Sequence, residues 1–339
     1  MKGKATSFDI AHYAGVSQST VSRALRNSPL VNEETRRRVH DIAKQLNYKV
    51  DKNASNLRTQ QSSTLALLLF EDPTADGSQI NPFFLAMLGS ITRACATEGY
   101  DLLVSFQSTS ADWQADYEDS HRADGIILLG YGDYIDYQAK FSSLIEQNTK
   151  FVCWGASVDN RSDLTVSCDN YGGGELAATH LLKASRKDCA FIGDASEHSP
   201  EFFARYQGFK DEFNRHGISL SERKMANAIS TEESGYHATR SLIANNIHFN
   251  SLFAASDLIA IGAIRALKEA GIKVPEDVHV VGFDNIAVAS YVNPPLTTVQ
   301  QDTTLAGKML VGNLLKLIRG EVVENTLLPP SLIIRGSSF

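Results

Sequence analysis

Asp9-Ile10-Ala11-His12-Tyr13-Ala14-Gly15-Val16-Ser17-Gln18-Ser19-Thr20-Val21-Ser22-Arg23-Ala24-Leu25 is the stretch on which the reading of this chain turns. Thr6 precedes it, and Asp9 lies three residues on, a Thr-x-x-Asp start close to a capping box. Gly15 stops the helix that opens there, because glycine takes a left-handed C-terminal position at little cost. Ser17 is placed to cap a second helix, on which Val21 and Leu25 form an apolar i,i+4 pair. Asn32, Glu33 and Glu34 open a third, whose Val39, Ile42, Ala43 and Leu46 share one face. Helix, short turn with glycine, and helix again is the helix-turn-helix pattern.

In that pattern the second helix enters the major groove of DNA and its N-terminal residues face base edges. Gln18 and Ser19 occupy those positions, with Arg23 one turn further. Gln matches adenine and Arg matches guanine through paired hydrogen bonds, each giving about 1–3 kcal/mol of discrimination. Thr20, Ser22 and Arg26 are better placed for phosphates, which orient the head without reading sequence. Thr6 and Ser17 complete the candidate DNA contacts. Taken singly, Gln18, Ser19 or Ser22 reads equally well as ordinary polarity on a solvent-facing helix.

The charge distribution agrees. The 339 residues carry a formal −7, yet residues 1–62 hold eleven Lys/Arg against five Asp/Glu, a surplus of +6, and the remainder stands at −13. A basic head on an acidic body suggests nucleic acid at one end. There is no apolar run of about 18 residues to cross a membrane and no apolar core of a secretory signal, so a cytoplasmic location is expected. Cys95, Cys153, Cys168 and Cys189 show no CxxC pairing and read as buried thiols, not as zinc ligands or disulfides. No metal or cofactor is expected.

From Leu65 onward, apolar runs at 65–70, 102–106, 125–129, 151–154, 189–192, 251–255 and 278–283 alternate with helical stretches at 83–97, 173–183, 205–216, 235–245 and 258–270. That alternation indicates an α/β body with buried parallel sheets. The first strand is followed by Glu71-Asp72-Pro73 and not by GxGxxG; a P-loop, a GxSxG elbow and an HExxH pair are also missing, which argues against an enzyme. Residues 49–63 are mostly polar and read as a linker, in which Asn53 could cap a short helix running to Arg58.

The helix-turn-helix stretch, with Val31-Asn32-Glu33-Glu34-Thr35-Arg36 running on to Leu46-Asn47-Tyr48, resembles the head of the lactose/galactose repressor family. The resemblance extends through Asn81-Pro82-Phe83-Phe84, Arg205 with Gly208-Phe209, Val281-Gly282-Phe283-Asp284-Asn285, and Pro295-Leu296-Thr297-Thr298-Val299. It implies a three-helix head at 1–48, a linker and hinge helix at 49–63, and a periplasmic-binding-protein-like core at 64–339. That core has two α/β subdomains with parallel sheets, drawn here as 64–160 with 292–322 and 161–291 with 323–339. The resemblance also implies that Gln18, Ser19 and Arg23 touch bases, and that the hinge folds on DNA. Leu57, with Asn56 beside it, would then enter the minor groove, where apolar wedges kink the duplex. The family usually has Pro-Asn where this chain has Val50-Asp51.

In open α/β sheets, ligands bind outside the carboxyl ends of strands, and two facing sheets make a cleft. Asp284 follows the run at 278–283 and can accept two sugar hydroxyls; Arg205 can donate several hydrogen bonds. Asn81, Phe83 and Phe84 follow the first strand, Trp154 ends another, and Ser256 stands where the family often has Asn. Core packing is the plain alternative for the three aromatics, and a surface ion or a cap for Asp284 and Arg205. With Gly155 where many members have an acid, these features favour a glucoside or oligosaccharide stacking on an aromatic over a small monosaccharide. The insertion Asp72 to Gln79 would help to shape the entrance. A repressor of carbohydrate genes is therefore expected, acting as a homodimer on a pseudo-palindromic double-stranded operator. No leucine-heptad tail for a tetramer is seen. A periplasmic-type sugar receptor and a regulator answering a nucleobase are the alternatives; the basic head opposes the first.

Overall fold

The computed structural model describes residues 5–48, 61–70, 80–107, 112–130, 134–156 and 164–339. Asn56, Leu57 and the insertion Asp72 to Gln79 lie outside these residues. The chain divides into two compact units, Met1–Ser62 and Ser63–Phe339.

The first unit holds α1 (Ser7–Ala14), α2 (Gln18–Leu25) and α3 (Glu33–Gln45). Local chemistry sets each boundary. Thr6 and Asp9 form a reciprocal capping box, Gly15 ends α1 at φ +64°, and Ser17 and Asn32 cap α2 and α3 through their side-chain oxygens. Ile10, Ala14, Val21, Ala24, Val31, Val39 and Ala43 pack into one small core.

The second unit begins with β1 (Thr64–Phe70), α4 (Pro82–Thr97), β2 (Asp101–Gln107), β3 (Gly125–Leu129), α5 (Tyr134–Glu146), β4 (Phe151–Trp154) and β5 (Thr165–Cys168). It continues with α6 (Asn170–Lys183), β6 (Cys189–Ile192), α7 (Pro200–Arg215), β7 (Met225–Ala226), α8 (Glu232–Ala244), β8 (Ser251–Ala254), α9 (Asp257–Glu269) and β9 (His279–Asp284). It closes with β10 (Thr297–Gln300), α10 (Thr303–Ile318), β11 (Thr326–Leu328) and β12 (Ser331–Ile333). Two six-stranded sheets result, in the orders β11-β5-β4-β3-β1-β2 and β12-β10-β9-β8-β6-β7. Every pairing is parallel except β10 with β12. Strands β3, β4, β6, β8 and β9 are buried from end to end, which is why they read as largely apolar runs.

The chain passes between the sheets three times, and each crossing falls elsewhere than the sequence suggested. The family resemblance puts residues 161–291 in the second subdomain, but β5 pairs with β4 and so extends the first sheet. It puts residues 292–322 in the first, but β10 pairs with β9 in the second sheet. It puts the stretch from 323 in the second, but β11 pairs with β5. The crossings are therefore Asp169, Gln301-Asp302 and Pro329-Pro330. Asp169 and Asp302 each cap the helix that follows, through Gly172 N–H and Leu305 N–H at 2.8 and 2.9 Å. All four cysteines are buried. No helix among the described residues is long and apolar enough to cross a membrane.

Helices α6 and α7 cross almost backbone to backbone. A β-carbon on Gly208 would lie 1.9 Å from Tyr171 O, and one on Gly174 would lie 2.1 Å from Arg205 O. Gly208→Ala is expected to push the helices apart and to lower stability by about 1–3 kcal/mol, the usual cost of overpacking. Urea unfolding of variant and wild type checks this.

Candidate functional site

Two groups of residues carry the chemistry. In the head, Ser17, Gln18, Ser19, Arg23 and Arg26 are exposed, while Val21 and Ala24 face the core. The polar face of α2 is thus presented outward, with Gln18 and Ser19 at its N-terminal end. Gln18 is steadied by a 2.9 Å bond from its Nε2 to Ser7 Oγ. Arg26 Nε donates to Ser22 O at 3.2 Å. Ser17 Oγ lies 2.8 Å from both Ser19 Oγ and Thr20 Oγ1 and accepts the Thr20 N–H. Thr6 is engaged in its own cap, its hydroxyl 2.7 Å from Asp9 Oδ2. Exposed Phe8, Tyr13 and Leu30 add apolar surface to the head, and the reading by charge and polarity passed over them.

In the second unit the expected cleft residues gather where the two sheets meet. Arg205 is fully buried on α7 and Asp284 is the last residue of β9; Arg205 Nη1 and Asp284 Oδ1 are 3.6 Å apart. Arg205 stands in the second turn of its helix, not at the start. Its Nε donates to Asn170 Oδ1 at 2.8 Å and its Nη1 to Ala255 O at 2.5 Å. Its guanidinium lies 3.8 Å from the centre of the Phe283 ring, a desolvated cation–π contact. Gln301 Nε2 donates to Asp284 Oδ1 at 2.7 Å. Asn170 follows the first crossing and Gln301 opens the second, so the charged pair is bonded directly to the connections between the sheets.

Polar groups from both sheets converge nearby. Asn81 caps α4 through Phe83 N–H, and its Nδ2 donates to Ser230 Oγ at 3.2 Å across the two subdomains. Ser230 Oγ in turn donates to Ser256 Oγ at 2.9 Å, and Ser256 caps α9. A second bond across the subdomains runs from Ala156 N–H to Glu201 Oε1 at 2.8 Å. Phe83, Phe84 and Trp154 lie inside the core, 1%, 5% and 7% exposed, with Phe83 6.0 Å from Trp154 ring to ring. The open aromatic platform expected of Phe83 and Phe84 is thus corrected: first-turn residues of a helix laid on β1 are drawn into the apolar layer. Asn170, Ser230, Asp257, Thr298 and Gln301 were missed, because small polar side chains carry a signal only once their partners are known.

Burial pushes Asp284 up to about 6, against the pull of Arg205 and Gln301. Asp257, wholly buried beside it, is raised well above the ordinary carboxylate range by burial and then by the charge of Asp284. Since Asp284 lies above its free value of 3.8, stability from this group falls as pH rises from about 4 to about 6. Among the described residues no group of side chains is arranged to hold a metal ion.

Residues 8–51 match the family described as bacterial regulatory proteins, lacI family, and residues 178–338 match a periplasmic-binding-protein-like domain. The transcriptional repressor PurR of Erwinia tasmaniensis is 30% identical over 342 residues, covering 98% of this chain and 96% of that protein. This chain belongs to the LacI family. Among solved structures, the Lac repressor dimer bound to operator and the anti-inducer ONPF superposes with a TM-score of 0.84 at 26% identity, covering 99% of each chain. A complex of the regulator CelR with cellobiose gives 0.73 at 28% identity, over 98% of this chain and all of the other. The LacI-family chain is accordingly a DNA-binding transcriptional repressor with an effector-binding domain, and not an enzyme. Repressors of the family bind operator DNA and small-molecule effectors.

Arg205→Met would leave Asp284 buried without its cation. The expected cost is about 3–5 kcal/mol. It should be larger above pH 6 than below, because the stranded carboxyl escapes its charge by taking a proton. Urea unfolding at the two extremes measures the difference.

Proposed function

We propose that this repressor is controlled by a small carbohydrate, a glucoside or oligosaccharide, bound between the two subdomains of the core. The observation that carries the reading is the buried Arg205–Asp284 pair, bonded to Asn170 and Gln301 beside the crossings. A carboxylate accepts paired hydroxyls and a guanidinium donates in a fixed fork. Asn81, Ser230 and Ser256 supply further donors and acceptors from both sides, and Trp154 with Phe83 and Phe84 backs the site with apolar bulk. A sugar that competes for these bonds changes how the subdomains are held together. Full switching needs about 5.5 kcal/mol of differential affinity between two states. The similarity to a regulator solved with cellobiose supports a carbohydrate over a nucleobase.

On the DNA side, Gln18, Ser19 and Arg23 read base edges in each half-site. Thr6, Ser17, Thr20, Ser22 and Arg26 hold phosphates, and Asn56 with Leu57 enters the minor groove. The repressor works in the cytoplasm as a homodimer on a pseudo-palindromic operator; the similar Lac repressor structure, a dimer bound to operator, supports the dimer on DNA.

A thermal-shift panel of cellobiose, other glucosides, ribose and nucleobases, followed by a gel shift with the hit, tests the effector; stabilisation by a nucleobase alone would overturn the carbohydrate reading. Arg23→Ala is expected to relax base preference at one position of each half-site, losing about 1–3 kcal/mol of discrimination there. Selection of binding sites from random duplexes checks it, and an unchanged base profile counts against the assignment.

A further inference from the structure

We propose that Asp257, together with Thr298, positions the Asp284 carboxylate for the effector by clamping the turn that carries it. This rests on the reading of Asp284 as an effector ligand and adds a residue that acts through it.

Asp284 and Asn285 are consecutive non-glycine residues with positive φ, at +119° and +55°. Such backbone is strained and persists only where its surroundings over-determine it. The two N–H groups that follow are both held. Asn285 N–H donates to Thr298 Oγ1 at 3.3 Å and Ile286 N–H donates to Asp257 Oδ2 at 2.8 Å. The clamp is closed on itself, since the Thr298 hydroxyl donates to Asp257 Oδ1 at 2.5 Å. Asp257 and Thr298 are completely buried. Gly282, in the strand beneath, makes room for the carboxylate: a β-carbon there would lie 2.3 Å from Asp257 Oδ1. Asp257 thus acts on the turn through its side chain.

Several charged and titratable groups surround this pair. Asp284 faces Asp257 from β9. Arg335, beyond β12, donates to Asn285 Oδ1 at 2.7 Å and also acts on Asp257. Arg205 from α7 and Cys168 from β5 lie on the Asp284 side. The charge of Asp284 raises Asp257, whereas Asp284 itself is raised by burial and drawn down by Arg205 and Gln301.

The test uses the full chain, with cellobiose as the probe in calorimetry between about pH 5 and about pH 8. Wild-type affinity should rise with pH as Asp284 ionises. Asp257→Asn keeps the shape and is expected to weaken binding about tenfold through the loosened turn. The midpoint of its pH profile should stay where it is in wild type, because burial and not the charge of Asp257 raises Asp284. Thr298→Val removes one arm of the clamp without a charge, and should weaken binding with the midpoint unmoved. Wild-type affinity in Asp257→Asn would overturn the proposal. Asp284→Asn is the control for the underlying reading: if it binds cellobiose as wild type does, that reading fails. Amide hydrogen exchange of the ligand-free chain decides the clamp even where wild type binds no cellobiose. Exchange at Asn285 and Ile286 should be faster in Asp257→Asn than in wild type, and unchanged exchange refutes the role of Asp257.

Discussion

A guanidinium and a carboxylate removed from water must find partners inside the protein, and the core of this repressor is arranged around one such pair. Desolvation of ions costs several kcal/mol each after relaxation, and is offset only by close charge and complete hydrogen bonding. Arg205 and Asp284 meet that demand with Asn170, the Ala255 carbonyl, Gln301 and the Phe283 ring. Two of these partners sit beside crossings between the sheets. The bonding of the pair and the relative placement of the subdomains are thereby physically connected. The connection consists of hydrogen bonds of ordinary length, not of a long chain of contacts.

The pair can be held so closely because the helices around it approach so closely. Gly174 and Gly208 bring the backbones of α6 and α7 within a distance that no side chain would permit, and this sets where Arg205 enters the core. On the other side, the buried Asp257 and Thr298 hold the strained turn after β9. The head solves a simpler problem. Its three short helices bury a small core, and the polar face of α2 is left outward, where base edges and phosphates can be met.

Much of this was legible because it is local. Thr6, Gly15, Ser17 and Asn32 act within three or four residues of themselves, so the ends of α1, α2 and α3 could be read directly. Buried parallel strands announced themselves as apolar runs. The short strands were not legible: Thr165–Cys168 is polar at alternate positions, Thr297–Gln300 is polar at three of its four, and Thr326–Leu328 has only three residues. Their membership depends on the strand beside them, and that is why all three crossings were misplaced. Phe83 and Phe84 show the same limit, since an aromatic residue after a strand reads alike as pocket wall or as core.

By itself the sequence determined the class of the protein: a capped, basic helix-turn-helix joined to an α/β body. Caps, turn residues and apolar periodicity are short-range and appear in one dimension. Only the tertiary structure decided which residues make the cleft. Asn170, Ser230, Asp257, Thr298 and Gln301 are ordinary polar residues until folding removes them from water and sets each opposite a partner. At that point an unmet hydrogen bond becomes costly, and the pairing of residues far apart in the chain becomes the determinant of the site.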